Sequence, residues 1–181
     1  MGGQKSSYVY VNKQNVFVME KERLRFCMTR FDHYYDSVNN KATVFLTYNT
    51  FIVGVLVASY SFFLEKIDCN LFVNIFYIVI IIVGLISMLF TISATKPFFS
   101  RDTPSLHYFL SISEISKDEF SQKSELLSDE EELSDLRTQV HQLSIGLAKK
   151  FKMLRWTTRL MTFHLFLIAI FIFILIFNFK L

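Results

Sequence analysis

The chain has little of what catalytic or disulfide-built proteins depend on. It carries two cysteines, Cys27 and Cys69, in 181 residues, too few for a disulfide framework. No spacing of Cys, His, Asp or Glu matches a metal site, and the four histidines are scattered, so neither a metal nor a cofactor is expected. A glycine-rich phosphate loop, a nucleophile elbow and paired catalytic carboxylates are all missing, and the chain reads as a non-enzyme. Asp32, His33 and Asp36 are the nearest thing to an acid–base set, and solvated or inter-helix polar contacts are the simpler account of them. An early apolar segment is missing too. The first long apolar run starts after Lys41, so the N-terminus is not a signal peptide. Met1-Gly2-Gly3-Gln4-Lys5-Ser6 fits a myristoylation pattern, which matters only in a eukaryote.

What is abundant is apolar surface. Hydrophobic residues make up 52% of the chain, aromatics 17%, phenylalanine alone 21 residues, and the mean hydropathy is +0.36. That places the chain in the membrane class. The charge balance, 19 − 16 = +3, is modest. Its distribution is more informative, because the basic residues gather at the edges of the apolar runs. With those runs removed, roughly 110 residues remain, enough for one small helical domain.

The stretch from Ser128 to Leu181 contains no proline. Ser128-Asp129-Glu130-Glu131 reads as a capping box, in which hydroxyl and carboxylate each satisfy an orphan N–H of the first turn. The acidic run Asp129 to Glu132 is expected to be a solvated first turn, favourable with the helix dipole. Leu133, Leu136, Val140, Leu143, Leu147, Phe151 and Leu154 recur at steps of three and four, which draws one apolar stripe along a helix. Lys149, Lys150, Lys152, Arg155 and Arg159 form a basic collar. The apolar run beyond it, 160–178, spans roughly 27 Å, close to a bilayer core.

The first half follows the same plan. A polar tail, 1–15, precedes a helix from Val16. Leu24, Met28, Phe31, Tyr35, Val38, Ala42 and Phe45 form a heptad-like stripe, and neither Pro nor Gly breaks it before Gly54. A helix over 16–41 therefore passes directly into a first span over 42–64. That span has a polar component, and an intramembrane Asn49 should face another helix rather than lipid. Gly54 and Ala58 are a small-xxx-small pair. Ordinary helix packing explains it simply; a self-association or pore-lining face is the sharper reading. A polar turn over 65–70 leads to a second span over 71–94, where Asn74 is placed to pair with polar groups of the first. Pro97 ends the helix, lacking the N–H that would continue the ladder. Lysine and arginine number seven before the first span, one in the turn, ten from Lys96 to Arg159 and one at the C-terminus. The positive-inside rule then puts the N-terminus and the 95–159 segment in the cytosol and the C-terminus outside. The expected fold is an all-α membrane protein with three transmembrane helices, N-in and C-out, and long helices continuing into a small cytosolic module.

Within that module Ser105 to Ile115 is expected to be a strand or a packed loop, and Ser116-Lys117-Asp118-Glu119 a second capping box opening a helix to about Leu127. A small anionic ligand needs a positive group, polar donors and an aromatic platform. Asn40 and Lys41 offer this at the membrane mouth. His107, Tyr108 and Phe109 offer stacking faces, and Arg137, Gln139 and Gln142 offer donors. Each could equally serve only to hold helices together. His164, inside the third span, is expected to hydrogen-bond Asn49 or a Thr hydroxyl, or else to serve as a gate or pH-sensitive site.

Asn40-Lys41-Ala42, Pro97, His107-Tyr108-Phe109, Ile115-Ser116-Lys117-Asp118-Glu119-Phe120, Asp135 to Ser144 and Lys149 to Arg155, in that order against the spans, resemble the Pycsar membrane effectors (PycTM) over about Phe31 to Phe177. Asn40 stands where that pattern often has an acidic residue. The resemblance implies a bacterial antiphage effector of the inner membrane, N-terminus cytoplasmic. It would sense cyclic CMP or cyclic UMP from a partner cyclase and impair the membrane. Three spans make a poor pore alone, so a homo-oligomer in the lipid bilayer is expected, with neither DNA nor RNA as partner. A non-enzymatic scaffold or receptor subunit, and a small channel component, remain open as alternatives.

Overall fold

The computed structural model describes residues 13–66, 71–97 and 104–178. The first twelve residues, most of the turn over 65–70 (Cys69 included) and nearly all of the connector after Pro97 lie outside the described residues. So do the myristoylation pattern and the extreme C-terminus. Five helices make up the described chain: α1 (Lys13–Lys66), α2 (Leu71–Thr95), α3 (Phe109–Ser113), α4 (Lys117–Leu126) and α5 (Asp129–Asn178). Three of them, α1, α2 and α5, are long and apolar enough to cross a membrane. The all-helical, three-span architecture is thus as the sequence predicts.

Both capping boxes start helices. Ser128 donates its backbone N–H to Glu131 Oε2 at 2.9 Å, and Ser128 Oγ accepts from Glu131 N at 3.3 Å, the reciprocal pattern that satisfies two orphan donors. At α4 only half forms. Ser116 Oγ accepts from Glu119 N at 3.2 Å, while the Glu119 carboxylate meets Lys123 at 2.8 Å.

Two expectations need correction. α1 begins at Lys13, inside the segment expected to be tail. The 105–115 segment is neither strand nor loop throughout, because Phe109–Ser113 is one turn of helix. Its amides bond locally, Ile112 N to Tyr108 O at 3.1 Å and Glu114 N to Leu110 O at 3.2 Å, and a helix needs no partner strand for that.

The chain divides into two compact units, and α1 and α5 contribute to both. The described part of the first unit is 13–33 with 104–145; that of the second is 34–66, 71–97 and 146–178. The first unit closes on a cluster of Leu24, Leu133 and Leu136, with Phe17, Met28 and Val140 packed against it. The second has two clusters. Val38, Ala42 and Leu154 form one, with Phe45 and Phe151 against it. Tyr77, Ile80, Leu167 and Phe171 form the other. The predicted stripes on α1 and α5 supply most of the first two of these clusters.

Candidate functional site

In the first unit α1 and α5 are joined by ion pairs between residues more than a hundred positions apart. Lys21 Nζ donates to Asp129 Oδ1 at 2.6 Å and to Glu132 Oε2 at 2.7 Å, and Arg25 Nη2 to Glu132 Oε1 at 2.7 Å. The acidic first turn of α5 is therefore only partly a solvated turn, since two of its carboxylates face cations of α1. Arg137 holds Glu20 with two parallel bonds, Nε to Oε1 at 2.9 Å and Nη2 to Oε2 at 2.8 Å, the bidentate geometry that suits guanidinium. The Arg137 contact holds the Glu20 carboxyl below its ordinary range, and Lys21 does the same for Glu132. Asp129 and Glu132 in turn hold the Lys21 ammonium above its ordinary range.

Beside these pairs, still within the first unit, lies a cavity of about 590 Å³, in the range of small-molecule sites. α5 supplies Glu131, Ser134, Asp135 and Thr138, at successive positions on one face; the loop before α3 supplies Ser105 and Leu106; α3 supplies Ser111; α4 supplies Lys123. The loop is fastened by Leu106 N to Asp135 Oδ2 and by His107 N to Ser105 Oγ, each at 3.0 Å. Hydroxyls, the Lys123 cation and two carboxylates already engaged, Glu131 by Ser128 and Asp135 by the Leu106 amide, stand against an apolar wall of Ile115, Leu126 and Leu127, and Lys123 with the hydroxyls can recognise a small polar molecule with an anionic group. Lys123 is bound only to Glu119 of its own helix, and both side chains are about half exposed.

None of the eight residues proposed from sequence as ligand contacts lines this cavity. His107, Tyr108 and Phe109 occupy the chain between lining residues Leu106 and Ser111, with the Tyr108 and Phe109 rings edge-to-face at 5.3 Å. The Tyr108 hydroxyl is buried with no hydrogen-bond partner. Arg137 adjoins Thr138 but is engaged by Glu20. Gln139 is buried and Gln142 half-buried, whereas Asn40 and Lys41 are exposed and belong to the second unit. Hydroxyls at 134 and 138, one helical turn apart, are the sequence signal that could have pointed to the lining.

The second unit is polar along its axis. Lys150, Thr157, His164 and Phe171 recur at intervals of seven on α5, and all are buried. Lys150 Nζ donates to Ala94 O at 3.0 Å and Asn39 Oδ1 at 3.2 Å and lies 5.9 Å from the Tyr35 ring centroid. Asn49 does face another helix: its Nδ2 donates to Ser87 Oγ at 2.9 Å. Asn74 also pairs as expected, accepting from Tyr60 Oη at 3.1 Å. His164 makes neither bond expected of it. The Ile80 backbone lies beside the ring, but neither nitrogen is in hydrogen-bond geometry with a partner. The imidazole packs instead on Gly84, where an added Cβ would sit 2.8 Å from His164 Cε1 and 2.5 Å from Val53 Cγ2. The close approach inside the unit is thus at Gly84. Gly54 and Ala58 are exposed, with nothing within 4 Å of a Cβ built on Gly54.

Three span-competent helices, two of which also build a unit with a ligand-sized cavity, define a multi-pass membrane protein with a folded polar portion. The Pycsar effector protein domain, PycTM, matches residues 23–177. The chain belongs to that family, whose members are antiphage defence effectors. No curated protein and no solved structure matches it.

Proposed function

We propose that the chain senses a cyclic pyrimidine nucleotide, cyclic UMP or cyclic CMP, in its first unit, and then impairs the bacterial inner membrane through its second. One observation carries this reading. α5 is a single uninterrupted helix that bears four cavity residues, Glu131, Ser134, Asp135 and Thr138, and continues to Asn178 through a membrane-competent run. A ligand that prefers one setting of those four residues biases the helix they belong to, and differential affinity is the only means by which a ligand can do so. Family membership supports a cyclic nucleotide made by a cyclase as the signal.

In this reading Lys123 turns from Glu119 to the nucleotide phosphate. The hydroxyls of Ser134 and Thr138 meet sugar or base edges, with those of Ser105 and Ser111 facing them across the cavity. Arg137 keeps α1 against α5 rather than contacting ligand. The N-terminus and the first unit are cytosolic, as the lysine and arginine distribution supports, and the exposed Gly54 and Ala58 offer a face for a second copy in the bilayer.

The test is calorimetric binding of cyclic UMP, cyclic CMP and cyclic AMP to the full chain in nanodiscs, with depolarisation of proteoliposomes as the second readout. One pyrimidine nucleotide is expected to bind and depolarise. Lys123→Ala should weaken its binding by about tenfold or more, the scale of one charge-assisted bond. No binding of any of the three by correctly inserted protein would favour a scaffold role instead.

A further inference from the structure

The axis of the second unit holds polar atoms that nothing satisfies. Asn49 Oδ1 and Thr157 Oγ1 are buried without a hydrogen-bond partner, the His164 ring has only the Ile80 backbone beside it, and Asn49, Thr157 and His164 are each 0% exposed. In hydrocarbon no lipid or bulk water can make up for that, so such groups call for a reason. Their order along the helices supplies one. On α2, Gly84 marks the level of His164 and Ala94 the level of Lys150. Ser87, bonded to Asn49, and Thr91 lie between them, and both are 0% exposed. On α5, Thr157 lies midway between Lys150 and His164. The polar groups thus fall in order along one line, about 21 Å from Lys150 to His164 at helical rise. Beyond His164 the line stops at a layer of Tyr77, Ile80, Leu167 and Phe171, dry but for the Tyr77 hydroxyl, which is bonded to Ser59 and the Leu56 carbonyl. Among the described residues Lys150 is the one buried side chain with a formal charge.

We propose that this line, from Lys150 past Thr157 and the Asn49–Ser87 pair to His164, is a permeation path for water and small monovalent anions, described here in its closed state. Two contacts close it. His164 and Val53 seat on Gly84 with no room for a methyl group, and the Ile80–Leu167–Phe171 layer excludes water, as hydrophobic constrictions do in channels. When the helices part, the unsatisfied atoms gain water partners, so hydration favours the open state. The Lys150 ammonium at one end selects anions over cations. The inference rests on the reading that the chain impairs the membrane and, against the expectation that three spans alone make a poor pore, gives that damage a route for small ions through each chain's own core.

The experiment uses full-length chain in proteoliposomes loaded with a chloride-quenched dye or with calcein, and no nucleotide. Gly84→Ala wedges the helices apart, and should raise chloride flux by about tenfold or more through a shift in the closed–open population, with calcein retained. Phe171→Ser, which wets the dry layer, should do the same by an independent change. Thr157→Val added to either should return the flux towards wild type, and Lys150→Met should abolish the preference for chloride over potassium. Chloride-tight vesicles with both Gly84→Ala and Phe171→Ser, each helical and monodisperse, would overturn the path. So would a leak that passes calcein as readily as chloride and ignores Thr157→Val. Wild-type vesicles given cyclic UMP or cyclic CMP read the functional proposal separately. Silence there beside a leaking Gly84→Ala variant sinks nucleotide control and leaves the path standing.

Discussion

The same two helices, α1 and α5, are held together by opposite means in the two units. In the first, leucines lie inside (Leu24, Leu133, Leu136) and charges outside (Glu20, Lys21, Arg25, Arg137). In the second, the interior includes Asn49, Ser87, Thr91, Thr157, Lys150 and His164, while Phe51, Phe72, Leu89, Phe166 and Phe173 are exposed. Water drives apolar surface inward. Lipid does not, since its tails are as apolar as leucine, so close packing and polar contacts between helices take over. The reversal along single helices is what a change of solvent from water to lipid would produce.

The contrast can be broken most forcefully in the first core. Leu136→Ala should cost about 2–5 kcal/mol, transfer plus cavity, read as a lowered midpoint for loss of the first unit's helicity in denaturant. The isosteric Asn49→Leu in the second unit deletes one hydrogen bond, averaging about 0.6 kcal/mol in membranes, and also an unsatisfied carbonyl. Its stability should change by less than about 1 kcal/mol in a detergent-unfolding assay. A larger loss for Asn49→Leu than for Leu136→Ala would refute the inside-out description.

Exposed aromatics sharpen it next. Phe166→Arg places a charge on a surface facing lipid, with an insertion cost of about 2.5–3.5 kcal/mol at a helix centre. Phe26→Arg, on an exposed site of the first unit where Arg30 already lies 5.9 Å from the ring, should stay within about 0.5 kcal/mol. Membrane-integrated fraction in a glycosylation-reporter assay separates the two. Equal integration of both variants would mean that Phe166 does not meet lipid.

The smallest effect is the pH response of the first unit's pairs. Glu20 and Glu132 are depressed in the fold. Each therefore stabilises fully above its unfolded pKa, about 4.3, and loses that contribution as pH falls through the folded value. Lys21 is raised, so its contribution is present below its unfolded pKa, about 10.4, and is lost as pH rises through the folded value. The pairs are intact between these limits. Because they lie at the surface, with Glu20, Lys21 and Glu132 only partly covered, the acid-side loss should be slight and smaller at high salt. Circular dichroism from pH 7 to 3 should show little change, with Glu20→Gln and Arg137→Gln non-additive at pH 7.

Much of the architecture was legible. Stripes at steps of three and four foretold which faces of α1 and α5 turn inward. The Ser–x–x–Glu signals foretold two helix starts, and an intramembrane asparagine foretold its own burial. These are local properties of a helix, carried by residues within a few turns of one another. The ligand pocket was not legible, because its wall comes from four segments up to thirty-odd residues apart and its hydroxyls resemble any polar surface. Nor was the true face of the acidic turn on α5, whose partners Lys21 and Arg25 lie over a hundred residues away.

By itself, then, the sequence determined that three helices are long and apolar enough to cross a membrane, where α4 and α5 start, and which stripes of α1 and α5 turn inward. Hydropathy, capping and periodicity act within one helix and need no partner. Tertiary structure alone decided which polar groups meet. It set Asn49 on Ser87, Lys150 on the carbonyl of Ala94 and His164 on Gly84. Register between helices depends on packing shape summed over whole faces, and no local pattern encodes that sum.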